Sequence, residues 1–109
     1  MSFGCVPDCG SICEMLYTVS KRRPISVGKP SPLMLQLAME RTGYTAEQTA
    51  MIGDRIYTDV KSGLNAGVLA VLVMSGETTQ AILDESADRP DLVLDSAAEI
   101  LHILKEDIV

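Results

Sequence analysis

The run Met51-Ile52-Gly53-Asp54-Arg55-Ile56-Tyr57-Thr58-Asp59-Val60 sets two carboxylates in one short loop. Ahead of it, Thr49-Ala50-Met51-Ile52 is an apolar stretch short enough to be a buried strand. Behind it, Val60 to Ala66 reads as a helix closed by Gly67. Open α/β sheets present functional groups in this strand–loop–helix layout, at the carboxyl ends of their strands. A hard cation such as Mg²⁺ takes oxygen ligands, usually one or two carboxylates beside phosphate and water, so Asp54 at the strand tip is a candidate metal ligand. The same acids have a plainer reading. Asp is frequent in turns, and Asp59 stands where an acid favours the start of a helix.

Lys29 is the third candidate. In Gly28-Lys29-Pro30-Ser31-Pro32, Ser31 offers a capping hydroxyl and Pro32 a first helical residue. A cation just ahead of a helix N-terminus is disfavoured by roughly a few tenths of a kcal/mol, which suits a lysine kept for an anion. The alternative is a flexible stem that carries the charge into water.

These residues need a scaffold. Apolar positions at helical spacing predict helices from about Ser11 to Ser20, through Leu33–Met39 to about Arg41, from about Thr79 to Glu85, and from Ala97 to about Lys105. In the last helix Ile100, Leu101 and Leu104 form the expected buried face and His102 the outer one. Between the helices lie Thr49–Ile52, Val68–Val73 and Leu92–Leu94, short apolar strands, with Ile25-Ser26-Val27 a further candidate. Strands alternating with helices specify an α/β fold with a parallel sheet. No glycine-rich dinucleotide fingerprint, G-x-x-x-x-G-K-[ST] loop or G-x-S-x-G elbow occurs.

A chain of 109 residues allows one domain, and 47% hydrophobic with 22% charged residues is a globular composition. The net charge of −6 argues against nucleic acid or an anionic membrane as the main partner. It would also repel a phosphorylated substrate unless a cation sits in the site. Cys5, Cys9 and Cys13, odd in number and without a visible secretory signal, read as reduced thiols of a cytoplasmic protein. They lack the usual zinc or iron–sulfur spacings, and each is expected to pack as a small buried hydrophobe.

Taken together, Gly28-Lys29-Pro30-Ser31-Pro32, Met51–Arg55 with Thr58-Asp59, Ala66-Gly67 and Val73-Met74-Ser75-Gly76 resemble successive motifs of the haloacid dehalogenase-like phosphatases. They are most similar to the NagD-type, or 4-nitrophenylphosphatase-like, branch, as are Pro7–Ile12 and Arg23-Pro24. The resemblance implies a partial Rossmann-like parallel sheet, with residues 25–109 the C-terminal half of the core and 1–24 a remnant of the cap-to-core segment. It implies that Asp54 binds Mg²⁺, that Lys29 steadies the nucleophile and the transferring phosphoryl group, and that Asp59 supports the site and holds Lys29. The implied substrate is a small phosphorylated metabolite, such as a sugar phosphate or nucleotide. The family's D-x-D-G motif, with its aspartate nucleophile and acid/base, has no counterpart, since D-x-D occurs nowhere in the 109 residues. Two expectations follow: no turnover by this chain alone, and an unpaired Thr49–Ile52 edge that favours a homodimer or larger assembly. A non-catalytic binding or self-association module is the competing reading.

Overall fold

The structure, a computed structural model, describes residues 8–108. Its centre is a sheet of three parallel strands, β1 (Ala50–Gly53), β2 (Leu69–Val73) and β3 (Leu92–Leu94), in the order β1-β2-β3. Ala50 pairs with Leu69 and Gly53 with Leu72, while Val71 pairs with Leu92 and Val73 with Leu94. The register is pinned at its start by Asp91, whose Oδ2 accepts the Ala70 amide at 2.8 Å while its own amide donates to the Ala70 carbonyl at 2.8 Å.

Five α-helices accompany the sheet among the described residues: α1 (Cys9–Ser20), α2 (Leu33–Thr42), α3 (Lys61–Ala66), α4 (Gln80–Glu85) and α5 (Ala98–Ile108). The two-residue period of β2 divides the core between its faces. Ala70 and Leu72 pack with Ile56, Val60 and Leu83 on one side, and Val71 and Val73 with Leu94 on the other. The apolar run of β2 thus has the composition of a strand covered on both faces. Two glycines end helices with left-handed backbones, Gly43 after α2 (φ 78°) and Gly67 after α3 (φ 73°).

Several expectations change. Residues 25–27 form no strand: all three are exposed, and no strand among the described residues pairs with them. The first helix begins at Cys9, because Asp8 caps it by accepting the Gly10 amide at 3.1 Å. Cys9 is exposed and Cys13 half-buried, so neither is a core hydrophobe; partial desolvation, then the neighbouring Cys9, raise the Cys13 thiol above its ordinary pKa. Cys5 lies outside the described residues. On α5 Ile100 reaches the core, packing on Val71, Val73 and Leu94, while Leu101 and Leu104 are exposed. His102 is exposed. Neither α1 nor α2 buries a residue fully. The radius of gyration, 16.9 Å, exceeds the ~13 Å of a compact chain this long. Periodicity identified the apolar stripes of these helices, and little in the described residues covers them.

Candidate active site

At the carboxyl end of β1 the backbone passes through Asp54 and Arg55 into a wide turn, Ile56–Val60, before α3. The Arg55 carbonyl accepts from both the Asp59 amide (3.0 Å) and the Val60 amide (3.1 Å), which opens the turn to an i→i+5 bond. Such wide turns recur at functional sites, and no residue pattern announced this one. It folds Asp59 back under the strand, where the side chain is 6% exposed. Asp59 Oδ2 accepts the Arg55 amide at 3.1 Å, and Oδ1 is ion-paired with Lys29 Nζ. Gly53 makes room for this, since a Cβ there would lie 2.4 Å from Cβ, Cγ and Oδ2 of Asp59.

Lys29 arrives from a separate loop that α3 holds in place. Ser62 Oγ donates to the Ser31 carbonyl at 3.2 Å and Asn65 Nδ2 to the Pro30 carbonyl at 3.0 Å. Ser31 Oγ in turn accepts the Leu33 amide at 3.3 Å, but the residue that caps α2 is Pro32, which has no side-chain capping bond, so Ser31 stands one position before the expected cap. Ser62 and Asn65 carried no sequence signal beyond their place on a helix.

Asp54 is gripped from β2's far loop. Its Oδ2 accepts the Glu77 amide at 2.8 Å, and its carbonyl accepts both the amide and the hydroxyl of Thr78, at 3.2 and 2.6 Å. A Cβ on Gly76 would fall 2.2 Å from Asp54 Oδ2. The Glu77 amide, and after it the nearby charges of Arg55 and Lys29, hold the Asp54 carboxyl below the usual aspartate range against partial desolvation. Its Oδ1 accepts no hydrogen bond from another residue among those described. That oxygen, with its charge retained to low pH, has the chemistry of a hard-cation ligand. No cluster of three or more His, Cys, Asp or Glu gathers among the described residues, so Asp54 fits one share of a Mg²⁺ site that also uses water, phosphate or other chains of ligands. Around Asp54 the roles of Glu77 and Thr78 were not legible beforehand; Ser75-Gly76 at the tip of β2 was the available sign.

Three parallel strands with flanking helices give an α/β fold of the haloacid dehalogenase type, with the acidic loop and Lys29 at the carboxyl end of β1. The HAD-hydrolase-like family model matches residues 26–100, and the chain belongs to that family, in its NagD-type branch. Ribonucleotide monophosphatase NagD of Escherichia coli K12 is 36% identical over 97 residues, 89% of this chain and 39% of that protein. Dihydroxyacetone phosphatase of Corynebacterium glutamicum strain R is 40% identical over 97 residues, 89% of this chain and 35% of its own length. The crystal structure of 4-nitrophenylphosphatase from Thermotoga maritima superposes with a TM-score of 0.79 at 41% identity, covering 94% of this chain and 40% of that one. The chain therefore spans about two fifths of the relatives it matches. No helix among the described residues is long and apolar enough to cross a membrane.

Proposed function

We propose that this chain carries the metal- and lysine-bearing half of a Mg²⁺-dependent phosphatase site for small phosphate monoesters, sugar phosphates or nucleotides. The observation that carries this reading is the convergence of Asp54, Asp59 and Lys29 at the end of β1, with Lys29 and Asp59 ion-paired and both Arg55 and Lys29 acting on Asp54. The phosphatase names of the relatives support the substrate class. Phosphoryl transfer rests mainly on positioning and on neutralising charge. Lys29 puts a half-exposed ammonium where an anionic nucleophile and phosphoryl oxygens can share it, and Asp59 fixes that ammonium from below. Asp54 holds one face of the cation, which when bound supplies positive charge to the phosphoryl oxygens. An aspartyl-phosphate mechanism also needs a carboxylate nucleophile and an acid/base, and no D-x-D is present in these residues to provide them. On this reading residues 25–109 are the C-terminal half of the catalytic core, 1–24 come from the cap-to-core segment, and the setting is cytoplasmic.

The test is a chimera in which this chain replaces the matching two fifths of the Thermotoga maritima 4-nitrophenylphosphatase. Mg²⁺-dependent hydrolysis of 4-nitrophenyl phosphate is expected from the chimera, none above background from the 109 residues alone. A folded but inactive chimera, or one whose rate survives Asp54→Asn, overturns the proposal.

A second reading, self-association, is favoured by one observation. Among the described residues β1 pairs on one side only, with β2, and Ile52 within it is 41% exposed. An apolar edge without proline or charge is a template for another strand, and a two-fold dimer is its commonest closed outcome.

A further inference from the structure

The geometry points to Arg55, Glu77 and Tyr57 as a clasp that positions Asp54 for its cation, an inference that rests on reading Asp54 as a divalent-cation ligand. Among the described residues the Asp54 carboxylate accepts one backbone amide from another residue, that of Glu77, at 2.8 Å. Thr78 beside it is buried and bonded to the Asp54 carbonyl, which anchors one end of the loop between β2 and α4, while residue 77 itself is exposed. The Glu77 side chain, however, reaches back to the acidic loop. Its Oε2 meets Arg55 Nε at 2.5 Å and accepts from the Tyr57 hydroxyl at 3.4 Å.

The contacts close a ring. Asp54 is bonded covalently to Arg55, Arg55 holds the carboxylate of Glu77, and the amide of Glu77 holds the carboxylate of Asp54. Arg55 is also a junction, because its own amide donates to Asp59 Oδ2 at 3.1 Å, the acid that pairs with Lys29. One residue thereby links both acids to the loop after β2. The Arg55 and Glu77 side chains are 50% and 46% exposed, so their pair adds little to global stability. Its effect falls on the orientation of Asp54 Oδ1, the oxygen left over for a ligand. Outer contacts of this kind set the aim of a metal-ligating carboxylate, and their loss typically weakens binding by about tenfold to a hundredfold, towards or below the lower end for a half-exposed pair such as this.

Charge alone makes the opposite prediction, which gives a decisive test. Removing the Arg55 guanidinium takes a positive charge away from Asp54 and by Coulomb's law strengthens cation binding. The clasp requires it to weaken. Mn²⁺ is titrated into the 109-residue chain, following paramagnetic broadening of the amide signals of residues 53–55, with Mg²⁺ as competitor. Arg55→Gln and Glu77→Gln are each expected to raise the half-broadening concentration about threefold to tenfold. Hydrogen exchange at the Glu77 amide is expected to quicken severalfold in both, with the urea midpoint nearly unchanged. Arg55→Lys, which keeps the charge and loses the geometry, should behave like Arg55→Gln and serves if that variant fails to fold. Tighter or unchanged Mn²⁺ binding in Arg55→Gln overturns the clasp. If Asp54→Asn leaves the broadening intact, the metal reading of Asp54 fails, and the clasp is then decided by Glu77 amide exchange: unaltered protection in Arg55→Gln overturns it.

Discussion

Lys29 and Asp59, 30 positions apart, meet in an ion pair whose carboxylate is 6% exposed and whose ammonium is 47% exposed. The asymmetry matters. Asp59 is committed to the interior and needs its partner, whereas Lys29 keeps half of its surface open to a ligand.

Lys29→Met should therefore destabilise the fold by about 1–3 kcal/mol, because it leaves a buried carboxylate with the Arg55 amide as its remaining partner. Adding Asp59→Asn to Lys29→Met should recover part of that loss, since the uncompensated charge is then gone. Urea unfolding of the wild type, both single variants and the double variant measures the coupling. Strict additivity would show that the pair contributes nothing.

Gly53→Ala should cost about 1–3 kcal/mol or more, through overpacking. The added Cβ would meet three atoms of Asp59 at 2.4 Å. Asp59 has little freedom to yield, being held by the Arg55 amide and Lys29. A melting temperature within a degree of wild type would show that the acid can move aside.

Asp54 ties stability to pH with a definite sign. Its folded pKa is depressed, first by the Glu77 amide, so its contribution is fully present above the ordinary aspartate pKa of about 3.9 and is lost as pH falls through the lower folded value. The stability difference between wild type and Asp54→Asn should be constant from pH 7 to about 5 and shrink in more acid solution. Thermal melts across that range check it, and a difference that grows on acidification contradicts the assignment.

The edge of β1 that no described strand covers leads to a prediction about assembly. At high concentration the chain should form dimers or larger species by light scattering, and Ile52→Lys, which charges the edge, should shift them towards monomer. A wild type that stays monomeric would remove the self-association reading.

The order of strands and helices was legible along the chain. The alternation of apolar runs with helical stripes gives β1, β2 and β3, and the capping residues around α2 and α3 mark those helices to within about two residues. The motifs around Lys29, Asp54 and Asp59 were enough to indicate the family and to nominate the site. What periodicity cannot supply is what covers a face. It names apolar stripes on α1 and α5, but burial depends on neighbours distant in sequence, and Leu16, Leu101 and Leu104 remain exposed. Residues 25–27 failed as a strand for the same reason, because a strand exists only through a partner. The contacts that shape the site are likewise tertiary. The wide turn, the Lys29–Asp59 pair and the Glu77 amide on Asp54 depend on strand register and loop approach, which bring together groups that no local spacing relates.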